Sequence, residues 1–404
     1  MKAKFTKKVL ENGVTVIFEK RNLPVVSILI GVRRGSNTEE LSEKGISHFI
    51  EHLLYKGTKT RTSNQIAEEI EKNGGELNGF TSEEMVGYWC KMPSRNYEIG
   101  FDVLMDMVKN PLFSEEEIEK ERRVIFEEMK LYRDNPSSYA FDKIHECLYE
   151  GTMSKGILGS ESTLQKISKG DILKKFQETY VSENLVVVVV GDADEDYVFS
   201  KVKDEFGRKS ASDDFKEIKR KNEKRIETRK GIDQAVLIFA YHVPIAEDPG
   251  SKVAKVLTTT MAEGMSSRLF RQIREKRNLA YAIRGYSQIG KYFAHNIIYV
   301  GTKRENVEEV EKLILEEFKK VAEGFEDEEL KKIKDQMIGN YQISLEDSQS
   351  QVENLFVSEV HTRAEDFYEF EKEIESVNKE DVRKMASLVR EGGYSLFALV
   401  PSKE

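Results

Sequence analysis

The sequence predicts an α+β protein made of two structurally related halves, and three observations support this fold class. The chain has 404 residues, which is too long for one ordinary domain. Short segments rich in β-branched residues are interleaved with longer segments of helical periodicity. A polar, charged stretch near the middle divides these segments into two series of similar order, which fits a divergent duplication.

The first half opens with strand patterns, continues with helices and closes on a buried strand. β-Branched and aromatic residues between turn signals predict the strands, and apolar residues at helical spacing predict the helices. The predicted strands are 14–19, 25–32, 84–90 and 185–190, and the predicted helices are 43–55, 63–72, 97–107, 115–132 and 172–180.

The second half repeats this order after the polar stretch. Its predicted strands are 234–241, 281–288, 295–301 and 394–400, and its predicted helices are 251–261, 267–277, 304–322 and 327–345. Because the polar stretch has almost no large aliphatic residues, it is typical of a linker. The predicted domains are therefore 1–207 and 228–404, joined by a linker at 208–227.

The composition argues against several classes of protein. A net charge of −9 and a pI near 5.6 do not provide the basic surface that nucleic acid requires. Two cysteines are too few for a disulfide framework or a cysteine-ligated metal site. The N-terminus lacks the apolar segment of a signal peptide, and the longest aliphatic run, 185–190, is too short to span a bilayer. We therefore expect a cytoplasmic protein that binds neither nucleic acid nor membrane.

The strongest chemical signal is the segment His48-Phe49-Ile50-Glu51-His52. On a helix, with about 100° per residue, Phe49 and Ile50 fall on an apolar side. His48, Glu51 and His52 fall on the opposite side, where two imidazoles one turn apart can bind one metal ion. The glutamate between them is held close enough to take a proton from the attacking water. The sequence therefore predicts His48 and His52 as zinc ligands and Glu51 as the general base.

A catalytic zinc site usually has three protein ligands, so a third is expected elsewhere in the chain. The helix predicted at 115–132 offers Glu121 and Glu128, two turns apart within its apolar stripe. A carboxylate on a packing face is unfavourable unless it is paired or bound to metal. We assign Glu128 as the third ligand and Glu121 as a catalytic-site group that orients a ligand or holds a nearby proton. The pattern fits equally well with both glutamates pairing with lysine or arginine.

With these residues in place, the sequence resembles the pitrilysin and insulin-degrading type of inverzincin metallopeptidase, in which HxxEH is followed by a distal glutamate. It is most similar to the small-subunit branch that includes mitochondrial processing peptidase. The similarity covers Gly35-Ser36, the segment 45–53, Lys56-Gly57-Thr58 and the segment 121–129.

Other residues match the family's substrate-binding positions. Asn78 lies in a segment that resembles the family's edge strand, and Gly79 stands where the family usually has alanine. In the second half, Arg274 and Tyr281 resemble the family's substrate-binding arginine and tyrosine. From the residues alone, Arg274 is typical of a surface helix and Tyr281 of a strand.

The resemblance implies a fold of two related α+β domains, each a mainly antiparallel sheet covered by helices. It implies a zinc endopeptidase that cleaves unfolded peptides inside a chamber, with the peptide added as a strand beside 78–81. Long family members carry four such domains and this chain carries two, so the resemblance also implies a dimer that closes the chamber. A homodimer is the simplest arrangement because both motifs are present, and a heterodimer is the alternative.

Other functions compete with this interpretation. The family also produces non-catalytic, peptide-binding subunits of heterodimeric peptidases, but those subunits lack catalytic residues that this chain has. A metallohydrolase of non-peptide substrates can use the same short motif, although small enzymes of that kind lack a second half of this size. A structural zinc site usually has four protein ligands, often cysteine, and neither Cys90 nor Cys147 lies near the motif.

Overall fold

The computed structural model describes residues 4–211, 217–390 and 392–402. The strands are β1 Lys4–Val9, β2 Thr15–Lys20, β3 Val25–Val32, β4 Glu76–Thr81, β5 Val86–Pro93, β6 Leu185–Gly191, β7 Lys224–Arg229, β8 Ala235–His242, β9 Ala280–Ile289, β10 Ala294–Thr302 and β11 Ser395–Pro401. The α-helices are α1 Ile46–Leu54, α2 Ser63–Glu71, α3 Tyr97–Lys109, α4 Glu115–Asp134, α5 Pro136–Leu148, α6 Glu161–Leu164, α7 Lys169–Thr179, α8 Glu195–Glu205, α9 Gly250–Ala262, α10 Val307–Glu323, α11 Asp327–Ser344, α12 Ser348–His361, α13 Phe370–Ser376 and α14 Lys379–Ala386. Residues 212–216, which belong to the predicted linker 208–227, lie outside the described residues.

The chain divides into two compact units, and each unit includes a segment from the other half of the sequence. Unit 1 comprises Met1–Met129, Gly156–Lys216 and Ser344–Phe367, and unit 2 comprises Lys130–Lys155, Glu217–Ile343 and Tyr368–Glu404. Helix α12 therefore belongs to unit 1, and helix α5 belongs to unit 2. The predicted domains 1–207 and 228–404 did not include this exchange.

Unit 1 is built around a six-stranded mixed sheet with the order β1-β2-β6-β3-β5-β4. Strands β2 and β6 are parallel, and the other neighbouring strands are antiparallel. Every residue of β6 is buried, as expected for a central strand that is covered on both faces. Strand β4 forms one edge of the sheet, and α1 packs beside it. The sheet therefore ends next to the helix that carries the HxxEH residues.

Helix α12 covers strands β3 and β6 of unit 1. The ring of Phe356 lies so close to Gly31 of β3 that a β-carbon at this glycine would overlap with it. Near the end of the helix, Arg33 Nη2 donates a hydrogen bond to Glu359 Oε1 at 2.8 Å. A glycine early in the sequence is thus required by a helix that comes much later in it.

Unit 2 is built around a five-stranded mixed sheet with the order β7-β11-β8-β10-β9. Strands β7 and β11 are parallel, and the other neighbours are antiparallel. Helix α9 packs on β9 and β10, and α5 packs on β8 and β11, where Ile144, Leu148, Ile238 and Phe397 share one buried cluster. Both units are therefore mainly antiparallel sheets covered by helices, and the predicted fold class is confirmed.

Several elements differ in detail from the predictions. The helix predicted at 43–55 begins only at Ile46, because Gly45 has a left-handed backbone conformation with φ 102°. The α-helix predicted at 267–277 contains instead the π-helical segment Phe270–Glu275. Strand β7 lies partly within the segment predicted as a linker.

Among the described helices, none combines the length and the apolar character that a membrane span requires.

Candidate metal centre

Helix α1 is fixed at its N-terminus by a buried carboxylate. Glu39, which is fully buried, accepts hydrogen bonds from the backbone N–H groups of Gly45 and Ser47 at 3.1 and 2.7 Å. A negative charge is favourable at this end because the first N–H groups of a helix lack intrahelical partners and carry the positive end of its dipole. Lys44 Nζ lies 3.4 Å from the same carboxylate. This cap therefore helps to set the direction in which α1 presents its side chains.

His48, Glu51 and His52 project from one face of α1, as their spacing predicts. His48 and Glu51 are only 7% and 8% exposed. Phe49 and Ile50, on the other side of the helix, belong to the hydrophobic core of unit 1. The helix thus buries its apolar side in the core and directs two imidazoles and a carboxylate to the same place.

Helix α4 brings Glu128 to the two imidazoles. Glu128 Oε2 lies 3.7 Å from His48 Nε2 and 3.5 Å from His52 Nε2. One potential ligand atom from each of the three residues lies within 4.8 Å of the other two, and no second such group of His, Cys, Asp or Glu occurs in the part of the chain that the structure describes. The fold therefore brings together the three residues that the sequence analysis predicted as ligands.

Glu121 contacts His52 on the ring nitrogen that does not face Glu128. Its Oε2 lies 3.2 Å from His52 Nδ1, so it can fix the ring and leave Nε2 for a metal. Glu121 is only 4% exposed, and Lys56 Nζ lies 2.9 Å from its Oε1. The sequence predicted that Glu121 either orients a ligand or pairs with a basic residue, and the structure contains both its contact with His52 and its contact with Lys56. The lysine was missed, since nothing in its local pattern connects it with a helix far along the chain.

Glu51 lies beside the three predicted ligands. Its Oε2 is 3.9 Å from His48 Nε2 and accepts a hydrogen bond from Thr81 Oγ1 of β4 at 3.4 Å. Burial raises the pKa of Glu51 to about 7, and the charge of Glu128 adds to this effect while His52 opposes it. A carboxylate with a pKa near neutrality is suited to take up a proton and release it again.

The two imidazoles have opposite pKa shifts. Burial, together with the neighbouring His52, lowers the pKa of His48 to about 4. Burial also lowers the pKa of His52, but its contacts with the carboxylates of Glu121 and Glu128 outweigh this and raise the pKa to about 9. In the metal-free cluster, His52 therefore carries a proton at neutral pH, whereas His48 is neutral.

The two separations between Glu128 and the imidazoles fit a tetrahedral zinc ion. Two ligand atoms that each lie about 2.1 Å from such an ion are about 3.4 Å apart. This separation is close to the 3.5 and 3.7 Å between Glu128 Oε2 and the imidazole nitrogens. Glu128 Oε2 is also buried without a well-formed hydrogen bond, so a cation would satisfy it. Two imidazoles and one carboxylate form a donor set of catalytic zinc sites, which keep a fourth position open.

We expect zinc affinity to rise with pH until the pKa of His52, about 9, is reached. Zinc needs the lone pair of a neutral imidazole, so binding must displace the proton from His52. From about pH 7 to about pH 9, the dissociation constant should fall about tenfold per pH unit, with one proton released per zinc. Competition with a chromophoric chelator at several pH values measures this dependence.

The glutamate behind His52 provides the control for this experiment. Glu121→Gln should flatten the pH dependence, because it removes one of the contacts that raise the pKa of His52. A dissociation constant that does not change with pH in the unsubstituted chain would contradict the protonation of His52.

The predicted substrate-binding residues lie on both units. Asn78 is exposed on the edge strand β4 of unit 1, and its Oδ1 accepts a hydrogen bond from Gly79 N at 2.8 Å. Arg274 is exposed in the π-helical segment of unit 2, where its guanidinium lies 4.8 Å from the ring centroid of Phe270. Tyr281 is 42% exposed on β9, the edge strand of the second sheet. Asn78 shares its unit with the metal cluster, and the roles of all three residues remain predictions.

Sequence comparison places both halves of the chain in one peptidase family. Residues 15–161 match the family model described as Insulinase (Peptidase family M16), and residues 166–337 match the model described as Peptidase M16 inactive domain. The first of these regions contains all the residues of the candidate metal centre, namely His48, Glu51, His52, Glu121 and Glu128.

Similar proteins extend this result over most of the chain. An uncharacterized zinc protease of Rickettsia felis is 33% identical over 347 residues, which cover 84% of each chain. An uncharacterized zinc protease of Bacillus subtilis, YmxG, is 31% identical over 400 residues, which cover 97% of each chain. A protease from Helicobacter pylori has the same fold, with a TM-score of 0.91 and 21% identity over 99% of this chain and 100% of that one. The peptidase M16 inactive domain from Pseudomonas fluorescens also has this fold, with a TM-score of 0.87 and 17% identity over 99% of each chain. From its sequence and its fold, this chain belongs to the M16 peptidase family.

Proposed function

We propose that this chain is a zinc-dependent endopeptidase that cleaves unfolded peptides. The observation that carries the proposal is the convergence of His48, His52 and Glu128 on one point, with Glu51 beside them. The similar proteins named zinc proteases support zinc as the metal. The family model named inactive matches only residues 166–337, and none of these four residues lies in that region.

The roles of the side chains follow from their positions. Zinc, when bound, supplies Lewis-acid activation of a water molecule and of the scissile carbonyl. Glu51 accepts a proton from that water and returns a proton to the departing amine. Glu121 holds the ring of His52, and the hydrogen bond from Thr81 restrains the carboxylate of Glu51.

An extended peptide is proposed to bind beside β4 as an added strand. This strand is the last one in its sheet and pairs, within the described residues, with β5 alone. An unpaired strand edge can accept a peptide through backbone hydrogen bonds. Asn78 is the proposed contact on this strand, and Arg274 and Tyr281 are proposed as further peptide-binding residues because both are exposed.

We further propose that two chains form a homodimer that encloses the site and excludes folded proteins. This part of the proposal rests on the resemblance of the sequence to the small-subunit branch that includes mitochondrial processing peptidase. A heterodimer with a non-catalytic subunit is the alternative arrangement.

Removal of the metal tests the proposal. A strong chelator is expected to abolish cleavage of a fluorogenic peptide, and added zinc should restore it, because the attacking water is then activated again. Peptides of graded length should reveal an upper size limit, and a folded protein that carries the same cleavable sequence should resist cleavage.

Two outcomes would contradict the proposed activity. Cleavage that persists in the chelated protein would exclude zinc from the reaction. Stoichiometric zinc binding without cleavage of any peptide in the series would exclude an endopeptidase and favour a non-catalytic peptide-binding subunit.

A further inference from the structure

Tyr55 caps the C-terminus of α1, the helix that carries His48, Glu51 and His52, and the role of its hydroxyl is not explained by the contacts described above. Its hydroxyl oxygen is buried and makes no hydrogen bond with any residue that the structure describes. Burying a hydroxyl without a partner is unfavourable, so such a group calls for an explanation. Its ring packs near the ring of Tyr88, with 6.1 Å between the centroids.

The hydroxyl of Tyr55 occupies the space beside Gly79 of β4. A β-carbon on Gly79 would overlap with Tyr55 Oη, and it would lie 2.9 Å from the carbonyl oxygen of Gly87 on β5 and 3.2 Å from Glu51 Oε1. The two side-chain oxygen atoms therefore flank the same point of the edge strand. Gly79 is not among the glycines with a positive φ, so the close approach of these groups, rather than the backbone conformation, requires a glycine here.

The two oxygens of Glu51 have different surroundings. Oε2 lies near His48 Nε2 and Thr81 Oγ1, at 3.9 and 3.4 Å. Oε1 lies on the side of Gly79 and the Tyr55 hydroxyl. A carboxylate that is held at both oxygens cannot rotate freely, so a partner for Oε1 would keep Oε2 directed toward the metal cluster.

We propose that Tyr55 is a positioning residue for Glu51. Its hydroxyl, which makes no hydrogen bond with the described residues in this structure, donates one to Glu51 Oε1 in the zinc-loaded enzyme, directly or through one bridging water, and Gly79 is required to admit this hydroxyl. The inference rests on the proposed peptidase function, in which Glu51 is the general base. A single bridging water is nearly as favourable as a direct hydrogen bond. Burial and the charge of Glu51 both raise the pKa of Tyr55, so the hydroxyl keeps its proton and remains a donor.

A double-mutant cycle in the full, zinc-loaded chain tests the proposal. Tyr55→Phe removes only the hydroxyl and should lower kcat about tenfold, the effect of one hydrogen bond to a charged group, with KM and zinc affinity unchanged. Gly79→Ala should lower kcat to a similar extent, because its methyl group displaces the hydroxyl. The double variant should lose less kcat than the two separate losses combined would give, since the methyl group then no longer meets the hydroxyl and only its contacts with Gly87 O and Glu51 Oε1 remain.

A matched control and a second readout separate positioning from general damage. Tyr197→Phe removes the hydroxyl of another half-buried tyrosine of unit 1, whose ring packs on Tyr97 and Phe101, and it should leave kcat unchanged. In denaturant unfolding, which does not depend on turnover, Gly79→Ala should destabilise the unsubstituted chain more than it destabilises the Tyr55→Phe chain.

The outcomes that overturn the inference differ from those that overturn the proposed function. An active Tyr55→Phe variant with unchanged kcat overturns the role of Tyr55 alone, and so does a loss confined to KM, zinc affinity or stability. If the effects of Tyr55→Phe and Gly79→Ala on kcat and on the free energy of unfolding simply add, the proposed link between Tyr55 and Gly79 is wrong. An unsubstituted chain that binds zinc but cleaves no peptide overturns the proposed function, and this inference with it.

Discussion

Glu51→Gln is expected to lower kcat by about 10³-fold while zinc stays bound. Glutamine has nearly the same shape as glutamate, but its amide cannot accept a proton from the attacking water. Glu51 is not one of the three predicted ligands, and its Oε2 lies 3.9 Å from His48 Nε2, so the ligand set should survive the change. Steady-state kinetics on a fluorogenic peptide, together with metal analysis of the same preparation, measures both effects.

The control for this variant is an exposed glutamate on the neighbouring helix α2. Glu68→Gln removes one negative charge from the same unit without touching the cluster, and it should keep both activity and zinc. Wild-type turnover in Glu51→Gln would show that another group is the base. Loss of zinc from Glu51→Gln would instead make this residue a ligand.

Glu128→Gln is expected to weaken zinc binding by more than about 100-fold, because even the loss of an outer partner of a ligand costs about 10- to 100-fold. The substitution replaces an anionic ligand, which lies 3.5 Å from His52 Nε2, with a neutral amide. Glu121→Gln should weaken binding by only about 10- to 100-fold, since Glu121 holds His52 and is not one of the three residues that would bind the metal. Chelator competition gives the dissociation constants, and the rise of Tm with added zinc gives an independent measure.

The exposed neighbour Glu127 serves as the control for both substitutions. Glu127→Gln makes the same chemical change on α4 but outside the metal cluster, and it should bind zinc like the unsubstituted chain. Tight zinc binding by Glu128→Gln would remove Glu128 from the ligand set. The hydrolytic mechanism would then lack its third ligand.

The part of the site that depends on one helix was predictable from the sequence. The positions of His48, Glu51 and His52 relative to one another follow from helical periodicity alone, and the structure places them on one face, where His48 and Glu51 are buried and His52 is half-buried. The apolar residues opposite them decide which way this face points, because Phe49 and Ile50 must enter the core. No long-range information was needed for this step.

The contacts between elements could not be derived in the same way. Two turns of α4 carry both Glu121 and Glu128, and periodicity cannot say which of them reaches the imidazoles. The contact of Lys56 with Glu121, and that of Tyr55 with Gly79, join elements that are separate in the sequence. Such contacts depend on how helices and an edge strand pack, which a local pattern does not contain.

The fold shows the same division between local and long-range information. The all-aliphatic strand β6 was predicted almost to the residue, since a run of valines bounded by Gly191 has few alternatives. Helix α12 was missed, because its sequence is rich in serine and glutamine and its apolar side is weakly defined. Its stability depends on the sheet beneath it, including the close fit of Phe356 on Gly31.

The late position of α12 has a consequence for synthesis of the chain. Leu29, on the same face of β3 as Gly31, and its cross-strand neighbour Val188 are both fully buried in the finished protein. At about 5–20 residues per second, a ribosome needs on the order of ten seconds to proceed from the end of β6 to the end of α12. Throughout that interval the nascent N-terminal half lacks the helix that covers this face. A polypeptide released before residue 348 would leave the apolar face uncovered and would therefore be prone to aggregate.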